Sequence, residues 1–142
     1  MAFIHVSGPA KAEPFLKTAS VAIANNAAIA WAVGYARQAV AASVRIAGIS
    51  QQKIASTDAD YANNTELLVI IPSEEDVFEA DVTTGTATQA NVGFQYDLDT
   101  NTDGTAQGIT VSGTTYKQVT VVGFISSTKV YVKFNKNYAY AG

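Results

Sequence analysis

The clearest pattern in the chain is KVYVKF, residues 129–134, where Lys129, Tyr131 and Lys133 alternate with Val130, Val132 and Phe134. A period of two is that of a β-strand with one buried face. Runs of similar length and character precede it: LLVIIP, EEDVFEADV, NVGFQYDLD, ITVSG and KQVTVVGFI. TTGTAT, TNTDGTAQG, GTTY and SST separate them and are rich in turn-forming residues. LLVIIP is continuously apolar and closes in Pro72, the pattern of a buried strand. Many short strands at close spacing predict an all-β fold, a single compact β-barrel or β-sandwich with little helix.

The N-terminal half is less regular. TASVAIA runs into Asn25 and Asn26, a pair that tolerates left-handed turn backbone. AAIAWAVGYARQAVAASVRIAGI is rich in alanine, which favours helix. Ile29, Trp31, Val33 and Tyr35 nevertheless alternate, and Gly34 and Gly48 would weaken a helix, so we read two strands there, with a helix as the alternative. The polar SQQKIASTDADYANNTE leaves room for one helical turn near residues 58–61. Residues 1–17 carry Pro9 and Pro14, which exclude a regular helix or a central strand. Phe3, Ile4, Phe15 and Leu16 make this segment too apolar for a free linker. It is expected to be an extended N-terminal arm, packed on its own domain or on a neighbour. Residues 18–142 form the single β domain, ending in an aromatic docking tail, NKNYAYAG.

Composition narrows the function classes. A length of 142 residues suits one domain with a sizeable core. Charged residues make up 15% of the chain, against a usual share of about 25%. A surface with few charges is cheap to desolvate and suits contact with other chains. The net charge of −3, with no cluster among nine basic residues, argues against nucleic acid. Cysteine is absent, which removes disulfides, thiolate metal sites and a cysteine nucleophile. The N-terminus lacks a basic region followed by an apolar core, and the longest apolar run, AAIAWAVGYA, is about half a bilayer span. No export signal and no membrane contact are expected.

Four features invite a chemical reading. In DTNTDG, Asp99, Asn101 and Asp103 followed by Gly104 match the opening of an EF-hand-type calcium loop. The position of the bidentate glutamate is Thr110, however, and strands flank the loop, so an Asx-rich hairpin turn reads better than a weak calcium site. EEDVFEAD brings Glu74, Glu75, Asp76, Glu79 and Asp81 together, but strand alternation spreads them over both faces. A solvated edge strand, or an acidic rim meeting a partner's lysines, fits better than acid–base catalysis. His5 is the lone histidine, and no nucleophile elbow, phosphate loop or metal-spaced cluster occurs. Trp31 reads as a core anchor before a sugar platform. Tyr131, Tyr138 and Tyr140 suit either a binding row or the packing face of a last strand. No enzyme and no cofactor are expected.

From residue 18 onward the chain resembles the small capsid decoration, or cement, proteins of tailed bacteriophages. VRIAGISQQKIASTDADYANNTELLVIIP, SEEDVFEADVTTGTATQANVGFQYDLD and KQVTVVGFISSTKVYVKFN carry the resemblance by their order and character over residues 18–135. It implies a β-barrel-like domain on the capsid exterior of the virion, made in the host cytoplasm. It further implies contact with the major capsid protein, assembly as a trimer or dimer, and no active site. Phe3, Ile4, Pro9, Pro14, Phe15 and Leu16 of the arm, with Tyr138 and Tyr140 of the tail, are the expected capsid or subunit contacts. The competing expectation is a carbohydrate-binding or adhesion module of a phage tail or spike, using Trp31 or the C-terminal tyrosines.

Overall fold

The computed structural model describes residues 2–41, 43, 46–101 and 106–135. Asp103, Tyr138 and Tyr140 lie outside the described residues. The first strands are β1 (Phe3–Ser7), β2 (Ala12–Leu16), β3 (Ala28–Ala32), β4 (Tyr35–Gln38), β5 (Gly48–Ser50) and β6 (Glu66–Ile70). They are followed by β7 (Val77–Thr84), β8 (Gln95–Thr100), β9 (Gln107–Thr110), β10 (Val119–Ser126) and β11 (Lys129–Phe134). One short 3-10 turn, Gln89–Asn91, interrupts them. The fold is all-β, as the spacing of the apolar runs predicted. The stretch 27–49 is stranded, with no helix among its described residues.

Five strands close a barrel in the order β7-β11-β10-β8-β9, and parallel pairing of Val82 with Ile109 and of Thr84 with Thr110 returns β9 to β7. β7 is long enough to serve two neighbours on one flank, β1 beside its first half and β9 beside its second. It is therefore an interior strand and not the solvated edge that its acids suggested. The alternation in β11 holds, with Val130, Val132 and Phe134 buried. Phe134 meets Phe3 edge-on at 5.1 Å between ring centroids and Phe78 at 5.4 Å. Each such ring, fully buried, contributes about 1.5–3 kcal/mol.

The other five strands form a sheet in the order β2-β6-β5-β3-β4. It curls until its two edges touch at a parallel bridge between Lys17 and Ala36, where the Thr18 N–H donates to the Ala36 carbonyl at 2.8 Å. One face encloses Ile23, Ile29, Ile54, Leu67 and Val69. The other sends Ala28, Ala30, Ile49 and Ile70 into the barrel's core. LLVIIP is thus buried on both faces except at the half-buried Ile71 and at Leu68, which lies exposed opposite Pro14 of the edge strand β2. Two glutamines tie the sheet to the barrel. Gln107 accepts from the Ala28 N–H and donates to the Ala28 and Ala39 carbonyls. Gln118 accepts from the Leu98 N–H and donates to the Ala41 and Ser43 carbonyls.

Residues 2–17 are extended, and of the two places open to them they pack on their own domain. β1 joins the barrel sheet and β2 the curled sheet. Pro14 sits in β2, an edge strand, where its missing N–H breaks no ladder. Gly8 turns the chain between β1 and β2 at φ 106°, and a Cβ there would lie 2.5 Å from Asp76 Oδ1. Only glycine fits that backbone against that carboxylate.

Candidate functional site

The curled sheet's bridged end collects exposed apolar side chains. Leu16 and Tyr35 immediately precede the bridged pair, Lys17 and Ala36, and Trp31 lies opposite Ala36 in the β3–β4 ladder. All three are exposed, and Trp31 retains 38% of its surface. The Phe15 ring backs the Trp31 ring at 4.4 Å between centroids, tilted by 33°. Trp31 is therefore a half-open platform and not the core anchor expected of it. One of its faces packs on Phe15 because β2 and β4 meet at the bridge.

Val33 and Gly34 form the two-residue loop of the β3–β4 hairpin, with φ of 51° and 84°. Positive φ at both central positions is the backbone of a type I′ turn, which Asn-Gly fills without strain. A β-branched residue at positive φ is an outlier. Val33 is also 98% exposed, so no packing explains its presence. Val-Gly between alternating strands was the signal in the sequence that could have pointed to this tip.

A buried lysine braces the same end. Lys17 has no exposed surface, and its Nζ donates to the carbonyls of Thr18, Tyr61 and Asn63 at 2.8, 2.9 and 3.0 Å. All three ammonium hydrogens are satisfied by backbone. The Asn64 side chain donates back to the Lys17 carbonyl at 2.8 Å. Burial lowers the Lys17 pKa, and Asp60 offsets part of that. The charge therefore fixes residues 61–64 of the polar loop to the closure.

The remaining expected contacts scatter. Ile4 is exposed on β1, in the other sheet, and Phe3 is fully buried in the barrel. Pro9 and Pro14 are exposed, Phe15 half-buried and Leu16 exposed, so only the end of the N-terminal segment reaches the apolar cluster. Of DTNTDG, Asp99 and Thr100 end β8 and pair with Gly108 and Gln107 of β9, while residues 102–104 lie outside the described residues. The Asn101 side chain accepts from the Ala106 N–H at 3.0 Å, and Asp99 accepts from the Thr83 and Thr84 hydroxyls at 2.7 and 2.5 Å. Asp99 is thus tied to β7 and Asn101 to the backbone just before β9, and among the described residues no three His, Cys, Asp or Glu side chains gather to hold a metal. Glu79 and Asp81 meet Lys129 across the ladder at 3.0 and 3.8 Å. Their cation comes from within the chain. His5 Nε2 donates to Asp76, whose carboxylate is fully buried.

The chain matches no protein-family model, no curated protein and no solved structure. Its own surface carries the functional reading.

Proposed function

We propose that the protein is a non-enzymatic decoration subunit that docks on the outer surface of a bacteriophage capsid shell, against the major capsid protein, and stabilises it. Val33 carries the reading. A strained, β-branched residue left 98% exposed at a hairpin tip does nothing for the fold. Such local conflicts are expected where a residue is kept for what it touches. Trp31 and Tyr35 flank Val33 in the hairpin, and Leu16, paired with Glu66, lies beside the sheet's closing bridge, all three exposed side chains of the types found in protein interfaces. The resemblance to cement proteins supplies the partner. A subunit that binds the assembled shell and not its free components favours the shell by mass action, and many copies multiply a small gain per copy. Homo-oligomerisation on the shell belongs to the same proposal.

The test is co-sedimentation of the purified chain with shells that lack it. Wild type is expected to saturate the shells, while Val33→Asp, melting no lower than wild type, and Trp31→Ala, still folded, bind about tenfold more weakly. Equal binding by both variants would remove this end from the interface. A second reading, a carbohydrate-binding module, is favoured by one observation, the half-open Trp31 ring backed by Phe15. Glycan binding lost in Trp31→Ala and kept in Val33→Asp would select it.

A further inference from the structure

At the opposite end of β4 from the hairpin, a groove of about 270 Å³ opens between residues 22–24 and 53–56. Ile23 and Ile54 fix its walls by exchanging backbone hydrogen bonds of 2.9 and 2.8 Å. Ile23 and Ile54 turn their side chains into the curled sheet's core, and the half-buried Ala22, Ala24 and Ala55 supply apolar surface to the groove. At its base lies Gln38, only 3% exposed. The Gln38 Oε1 accepts from the Ala24 N–H at 2.8 Å, which fixes the orientation of the amide. Nε2 is left with two hydrogens and no acceptor among the described residues. Nε2 is not among the enclosed unpartnered atoms of the fold, so this amide can donate to a group that enters from solvent. Lys53 stands exposed at the rim and makes no ion pair with a described residue. Ser56 adds a hydroxyl, none of the described lining residues is a carboxylate, and the nearby Asp58 carboxylate is engaged by the Ala55 N–H at 2.7 Å.

We infer that this groove is a binding site for an aliphatic carboxylate, the acid accepting from Gln38 Nε2 and Lys53 Nζ and the chain lying on Ala22, Ala24 and Ala55. The polar side chains offer donors to an acceptor-rich head, and the walls offer only apolar surface to its tail. The volume lies just below the range of about 300–1,000 Å³ typical of small-molecule sites, which suits a short chain. A free acid and an acidic side chain on a partner protein present the same chemistry.

The experiment is an NMR titration of the ¹⁵N-labelled full chain with sodium octanoate, with octanol, and with N-acetyl-leucyl-glutamyl-leucinamide. Octanoate, the peptide or both are expected to shift the Gln38 side-chain amide and the Ile54 amide saturably, with a Kd on the order of 1 mM or tighter, and octanol is not. Saturation by octanoate without the peptide assigns a free acid, and saturation by the peptide assigns a carboxylate borne on a partner chain. Gln38→Glu keeps the acceptor for Ala24 and sets a negative charge in place of the donors, so it should abolish the shifts. Lys53→Gln, at an exposed position that leaves the fold intact, should weaken them about tenfold. The site is refuted if octanol titrates as the acids do, if neither acid saturates the wild type, or if Lys53→Gln binds as tightly as wild type.

Discussion

Asp76 shows how much of this fold hangs on single polar residues. Its carboxylate accepts from the Ser73 N–H and hydroxyl, the Ala10 N–H and His5 Nε2, all at 2.8–2.9 Å. Burial alone would raise its pKa, but these bonds outweigh burial and hold it below the ordinary 3.8. A carboxyl with a depressed folded-state pKa stabilises above its unfolded value, and the contribution is lost as pH falls through the folded value. Asp76→Asn is therefore expected to lower stability by about 2–3 kcal/mol at pH 7, because an amide cannot accept from all four donors. In chemical denaturation the gap between variant and wild type should narrow below about pH 4. A constant gap at all pH values would mean that the charge is not what matters. None of this was legible in EEDVFEAD, where Asp76 looks like its neighbours. His5 and Ala10 lie 71 and 66 positions away, and no local pattern selects one acid of five to receive them. Lys17 was hidden for the same reason, its carbonyl partners Tyr61 and Asn63 lying 44 and 46 positions along.

Among the elements, the β3–β4 hairpin departs most from local preference. Val33→Asn should relieve the strain of a β-branched residue at positive φ and raise stability by about 1 kcal/mol. The same change should weaken shell docking, so thermal melts and co-sedimentation should move in opposite directions. A variant that is stabilised and still docks like wild type would detach the strain from function. Removing residues 1–17 is expected to abolish cooperative unfolding, since it takes away β1, β2 and the buried Phe3 ring. A truncated chain with dispersed amide resonances would contradict this. Most strands from β6 onward were legible because each carries a local apolar pattern and ends in turn residues. Their pairing was not. β7 reads as an edge strand until Lys129, 50 positions away, is brought to Glu79 by β11. Trp31 reads as core until the sheet curls and leaves it at an open end.

At the scale of the whole molecule, the barrel and the curled sheet are joined by a shared core and by Gln107 and Gln118, and each sheet closes through a parallel contact. Closure leaves few strand edges to pair at random, and Pro14 guards one that remains. What the surface offers a partner is then side chains on a rigid frame: Leu16, Trp31, Val33 and Tyr35 where the curled sheet closes, and Phe94, Val122, Phe124 and Ile125 on the barrel. That arrangement suits a subunit docking in many identical copies without changing shape. The most direct test of the proposed function is quantitative mass spectrometry of purified bacteriophage particles made from a genome that carries this chain's coding sequence, giving copies relative to the major capsid protein. The account predicts a ratio near one or a simple fraction of it. A handful of copies per particle, or none, would contradict a shell-wide decoration subunit.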